Sequence, residues 1–133
     1  MTRLLVDTSA YSAFMRGHET IKQVLQRAEA IYVNPIILGE LRAGFQRGRH
    51  REKNAELLAQ FLASPRVTVV AVDEATSERY AVILSGLRDA GTPIPTNDIW
   101  ISASAMQHGL AVLTADAHYL KVQQIIVHHH PST

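Results

Sequence analysis

Short aliphatic runs alternate along this chain with longer stretches of helical spacing. Leu4-Leu5-Val6, Ile31-Tyr32-Val33, Ala111-Val112-Leu113 and Ile125-Ile126-Val127 are too short for helices and unbroken by charge, as buried parallel strands are. Val67 to Val72 is β-branched and equally strand-like. Between these runs the apolar residues recur every three or four positions. Thr8-Ser9 offers capping chemistry for a helix from Ala10 to Met15, ended by Gly17. Ile21, Val24, Leu25 and Ala28 predict a helix over Glu19 to Ala28. Pro35 suits a first helical turn, and Ile37, Leu38, Leu41 and Phe45 continue it with Glu40 on the same stretch. A further helix runs from about Lys53 to Leu62 and stops before Pro65. Tyr80, Ile83, Leu84 and Leu87 mark one from Glu74 to Asp89, stopped by Gly91. After a loop stiffened by Pro93 and Pro95, Asn97 or Asp98 caps a helix through Ile101, Ala105 and Met106, ended by Gly109.

Strands alternating with helices predict an α/β domain, a three-layer α/β/α sandwich with a central, mostly parallel sheet. Such folds bind ligands at the carboxyl ends of their strands, near a switch in strand order. The chain's 133 residues are most simply one domain, 1–133, with an apolar fraction of 47% and a charged fraction of 19% that suit a globular core. No run reaches the ~18 apolar residues of a membrane span. The start moves straight into a strand-like run with no leader pattern, and a cytoplasmic location is expected. Absence of cysteine removes disulfides, thiolate zinc sites and thiol catalysis.

Four carboxylates stand out by position. Asp7 closes the first aliphatic run, Asp116 closes Ala111-Val112-Leu113-Thr114-Ala115, Asp98 opens an apolar helix, and Glu40 flanks an apolar stripe. Any one of the aspartates serves equally as a helix cap. Brought together by the fold, the four repel one another, so a proton or a cation has to neutralise them. Oxygen-only donors suit Mg2+ or Mn2+, and with no Cys and no well-placed His, structural zinc is not expected. The net charge is +1, but setting these four aside from 12 acidic residues leaves eight against 13 Lys plus Arg, near +5, a sign suited to an anionic partner.

Leu5-Val6-Asp7-Thr8-Ser9, Glu40-Leu41-Arg42-Ala43-Gly44, Asn97-Asp98-Ile99-Trp100-Ile101-Ser102-Ala103 and Leu113-Thr114-Ala115-Asp116 together resemble the four motifs of a PIN domain. More narrowly, they resemble the VapC toxins of type II toxin–antitoxin systems. The resemblance covers essentially the whole chain in order. It implies a parallel-sheet α/β/α sandwich, metal-binding carboxylates at Asp7, Glu40, Asp98 and Asp116, supporting hydroxyls at Thr8 and Thr114, and a supporting amide at Asn97. It further implies endonucleolytic RNA cleavage by Mg2+- or Mn2+-activated water, leaving a 5′-phosphate and a 3′-hydroxyl. The implied partners are RNA, a VapB-like antitoxin and a second copy in a homodimer, with no membrane. The alternatives are a PIN nuclease that is not a toxin and a catalytically silent PIN-like RNA-binding module.

Arg42, Arg47, Arg49, His50, Arg51 and Lys53 form the densest basic stretch. Arg42, Arg47, Arg49 and Arg51 are candidate contacts to RNA or antitoxin, against a plain solvated helix end. His128-His129-His130 reads as a frayed tail. His118 lies close to Asp116 in sequence, with substrate contact as its minority reading. Trp100 reads as packing or an interface residue. A haloacid-dehalogenase-like phosphatase also uses an Asp after its first strand, but wants a second acid two residues on, where Ser9 stands. A receiver domain wants paired acids at that strand end, which are also missing. No P-loop, dinucleotide fingerprint or Ser/His/Asp set is present.

Overall fold

The computed structural model describes residues 2–132 and shows five strands in one sheet, all parallel. They are β1 (Arg3–Val6), β2 (Ala30–Val33), β3 (Val67–Val69), β4 (Ala111–Thr114) and β5 (Val127–His129), in the order β3-β2-β1-β4-β5. Helices α1 (Thr8–Met15) and α2 (Glu19–Arg27) join β1 to β2, and α3 (Pro35–Arg47) and α4 (Arg51–Ala63) join β2 to β3. Helices α5 (Glu74–Ala90) and α6 (Thr96–His108) lead to β4, and a 3-10 turn (Ala117–Lys121) leads on towards β5. Parallel crossovers are right-handed. The first two pairs of helices therefore cover one face and α5 with α6 the other, the three-layer α/β sandwich that the alternation predicts.

The aliphatic runs are strands because they are covered on both faces. Leu4, Leu5 and Val6 are fully buried on β1, as are Val112 and Leu113 on β4. Each such side chain stabilises the fold by roughly 1.5–3 kcal/mol. Leu5 pairs with Tyr32 on one side and Val112 on the other, which fixes β1 as the central strand. A second apolar cluster, Ile83, Leu87, Ile99, Ala103 and Val122, joins α5 to α6. Tyr80 and Trp100 stack between the same helices with centroids 4.2 Å apart, so Trp100 is a packing residue. Gly91 and Gly109 end α5 and α6 with φ of 69° and 64°, a conformation that costs other residues and not glycine.

Four element boundaries differ from the sequence expectation. Asp7, not Thr8 or Ser9, caps α1, because its extended backbone lets Oδ1 accept the Ala10 N–H at 2.8 Å. Helix α6 starts at Thr96, so neither Asn97 nor Asp98 is its cap; the Asp98 N–H already bonds to the Pro95 carbonyl. β3 stops at Val69 rather than Val72, since it lies at the sheet edge, where Thr68 and Val69 are exposed. The largest correction is at the end of the chain. The last strand is Val127–His129, and the histidine tract is no frayed tail: Leu113 pairs with His128, Thr114 with His129, and the His130 N–H bonds to the Thr114 carbonyl at 2.9 Å. An edge of β4 left bare would expose backbone groups, and the tract satisfies them whatever its side chains. Among the described residues no helix is long and apolar enough to cross a membrane.

Candidate metal centre

The strand order reverses between β1 and β4, and both strands end there in an acid. Asp7 leaves β1 and Asp116 follows β4 by two residues, on neighbouring strands. Asp98 arrives from the first turn of α6 and Glu40 from the second turn of α3.

Asp7 is 3% exposed, and hydrogen bonds surround it. Besides the Ala10 amide, the Ser9 hydroxyl donates to both of its oxygens at 2.9 Å and the Thr114 hydroxyl to Oδ2 at 2.8 Å. Those hydroxyls are themselves held: the Ala115 N–H donates to Ser9 Oγ and the Asp116 N–H to Thr114 Oγ1. Burial nonetheless outweighs these donors and, helped by the negative charge of Asp98, pushes the Asp7 carboxyl up to about 6.

Asp98 and Asp116 meet over one imidazole. His118 Nδ1 lies 3.2 Å from Asp98 Oδ2 and 3.2 Å from Asp116 Oδ2. Asp116 Oδ1 accepts the His118 backbone N–H at 2.9 Å, so the turn that Asp116 caps swings this ring back over the site. Burial raises the Asp98 carboxyl above its ordinary range, and the Asp116 charge adds to this against the His118 and Tyr119 hydrogen bonds. The Tyr119 hydroxyl, in a side chain 1% exposed, donates to Asp98 Oδ1 at 3.2 Å. Burial and then the charges of Asp7, Asp98 and Glu40 push that phenol far up, keeping it a neutral donor.

Glu40 stands at the rim. The Thr8 hydroxyl donates to its Oε1 at 2.6 Å and the Asn97 amide to its Oε2 at 3.2 Å. Thr8 follows Asp7 and Asn97 precedes Asp98, so Glu40 is tied to both acid-bearing segments. Of the basic residues, Arg47 faces the cleft that Glu40 borders, while Arg42, Arg49 and Arg51 are exposed and Arg51 Nη1 bonds Gln46 Oε1 at 3.1 Å.

The fold thus gathers the acids unevenly. Asp98, Asp116 and His118 offer ligand atoms all within 4.8 Å of one another, and Asp7 and Glu40 flank that trio. The expectation of an oxygen-only site without a well-placed histidine is corrected: His118 is inside it. Sequence reading also passes over Ser9 and Tyr119. Only the Asp-x-His-Tyr spacing at 116–119 hints at His118 and Tyr119, because the tight turn that Asp116 caps brings both side chains back to the acids. Three carboxyls, of which burial raises Asp7 and Asp98, stand beside the His118 imidazole and make a donor set that fits a divalent cation.

Residues 4–124 match the model of the PIN domain. Ribonuclease VapC4 of Mycobacterium tuberculosis is 38% identical over 95 residues, covering 71% of this chain and 73% of the relative. In fold, the chain is similar to VapBC2 from Rickettsia felis, solved bound to a DNA fragment from their promoter, with a TM-score of 0.84 at 19% identity over 97% of this chain and 99% of that one. It is also similar to VapBC-5 of Mycobacterium tuberculosis, a member of the VapBC family of toxin–antitoxin systems. There the TM-score is 0.75 at 20% identity over 98% of this chain and 100% of that one.

Proposed function

The chain belongs to the PIN-domain family and within it to the VapC proteins, and from that premise we propose that it is a toxin endoribonuclease hydrolysing RNA phosphodiesters at its acid cluster. One observation carries the reading: three ligand groups from two elements converge at the switch point of the sheet, beside a buried acid and a tethered one. Asp98, Asp116 and His118 would hold Mg2+ or Mn2+, with Asp7 and Glu40 completing its surroundings. When bound, such a cation makes water a better nucleophile near neutral pH and offsets charge on the leaving oxygen.

The chain's own groups then have separable duties. Ser9 and Thr114 aim the Asp7 carboxylate. Tyr119 holds one oxygen of Asp98 and leaves the other facing His118. Thr8 and Asn97 hold Glu40 at the mouth. Hydrolysis forms a phosphorus–oxygen bond from water and breaks the bond to O3′, giving a 5′-phosphate and a 3′-hydroxyl. Arg42, Arg47, Arg49 and Arg51 offer charge for the RNA backbone or for an acidic segment of a VapB-like antitoxin. The reading places the chain in the cytoplasm as a homodimer held silent by that antitoxin.

The test uses antitoxin-free protein and a structured RNA. Cleavage should require Mg2+ or Mn2+, stop with chelator, and fall by a factor on the order of 10² or more in Asp98→Asn while the circular dichroism spectrum stays native. A variant that cuts at the wild-type rate would sink the site. A small co-purifying partner should suppress cleavage; cleavage indifferent to it would remove the antitoxin from the account.

A further inference from the structure

Beside Glu40 a cleft of about 650 Å³ opens along α3. Pro35, Ile36, Gly39 and Ala43 make its apolar floor, Glu40 with Asn97 borders it on the side of the acid cluster, and Arg47 lines it two helical turns beyond Glu40. Two turns are about 10 Å along the axis. Arg47 is exposed and pairs with no carboxylate among the described residues.

Gly39 sharpens the picture. It lies inside α3, where glycine costs about 1 kcal/mol relative to alanine. A Cβ built on it meets nothing within 4 Å, and its φ is not left-handed, so neither packing nor backbone requires glycine there. What it leaves is room over the cleft floor.

We propose that this cleft seats one unstacked nucleotide of the RNA strand, its base on the Pro35, Ile36 and Ala43 surface and a phosphate at Arg47. The inference rests on the ribonuclease reading, and a base enters such a floor only once it has left its stack. Charge favours a nucleotide over the other occupant, a cationic side chain of a protein partner. Both Glu40 oxygens already accept, from Thr8 and Asn97, whereas Arg47 has no carboxylate partner among the described residues, so the charge left to match is positive.

The test is an amide-resolved NMR titration of the full chain with AMP, CMP, GMP and UMP, and separately with inorganic phosphate and with L-argininamide. At least one mononucleotide should move Gly39, Ala43 and Arg47 together, and phosphate only Arg47. Gly39→Leu should weaken mononucleotide binding about tenfold and leave Mn2+ affinity by calorimetry unchanged; Gly39→Ala reports that the helix itself tolerates a side chain. The proposal is overturned if no mononucleotide moves those residues, if phosphate or argininamide moves all three as a nucleotide does, or if Gly39→Leu binds nucleotide like wild type. RNA cleavage by the same wild-type preparation keeps the two readings apart. Cleavage without a nucleotide response removes the cleft alone, and a response without cleavage removes the ribonuclease reading alone.

Discussion

Asp7 caps a helix and stands in the acid cluster at once, and the two duties pull its energetics apart. The cap bonds favour the carboxylate, but burial disfavours it more, leaving the folded group near 6 against an ordinary 3.8. Between those values the native chain holds a proton that the unfolded chain has released. As far as this group goes, stability is therefore greatest below about pH 3.8, falls as pH rises through the window, and above pH 6 carries the full penalty, roughly 3 kcal/mol. Asp98, also raised, adds in the same direction. Asp7→Asn keeps an oxygen for the Ala10 amide, and the Ser9 and Thr114 hydroxyls can turn to meet it. We predict that in chelator at pH 7.5 this variant melts above wild type, that the gain shrinks as pH falls towards 4, and that added Mn2+ stabilises wild type more than the variant. A variant melting below wild type at pH 7.5 in chelator would show that the cap outweighs the buried charge. The sequence exposes Asp7 through its place after an aliphatic run, yet not its partners. Ser9, His118 and Tyr119 look ordinary until β4 lies beside β1, because their roles depend on contacts across as many as 106 residues.

At the scale of elements, all six helices are legible in the sequence, α1 from its capping and stop residues and the other five from periodicity, since each has one face on a core and the spacing records it. Their starts are less so: a capping side chain is chosen by local backbone geometry, and Asp, Ser, Thr and Asn compete within a few positions. Asn34 shows what such a cap does beyond ending a helix. It is fully buried; its Oδ1 accepts the Ile37 N–H at 3.0 Å, and its Nδ2 donates to Ser104 Oγ at 2.9 Å. One side chain thus starts α3, which carries Glu40, and ties it to α6, which carries Asp98. Asn34→Ala removes a cap worth about 1 kcal/mol and leaves the buried Ser104 hydroxyl and Ile37 amide short of a partner, for a total loss of about 2–3 kcal/mol in urea unfolding. Ser104→Ala, which keeps the cap, should cost less. If the two variants prove equal, the cross-helix bond and not the cap fixes the start of α3.

For the whole molecule, the decisive arrangement is a sheet whose strand order turns at β1 and β4, because that alone sets Asp7 and Asp116 side by side. Alternating strands and helices announce a parallel sheet, but strand order is a property of crossovers, and no residue spells it. The same holds for β5. Three histidines in a row carry no strand signal, yet β4 is buried and needs a partner on its open side, so backbone pairing recruits whatever follows. Contacts beyond the strand fasten it: the Val112 N–H donates to the Ile126 carbonyl at 2.9 Å, and His18, which caps α2, bonds through Nε2 to the Pro131 carbonyl at 2.9 Å. β5 therefore supports the strand that carries Thr114, and Thr114 aims Asp7. Removing residues 126–133 should loosen this end of the molecule selectively. Hydrogen exchange should show the amides that β4 gives towards β5 losing protection, Val112 first, while the Asp7 amide, bonded to the Leu113 carbonyl across β1, keeps most of its own. The shortened chain should also melt lower and bind Mn2+ more weakly, since the Thr114 hydroxyl is then less firmly placed. Protection at Val112 equal to that of the full chain would mean that β4 closes without β5. The link from the histidine strand to the acid cluster would then be lost.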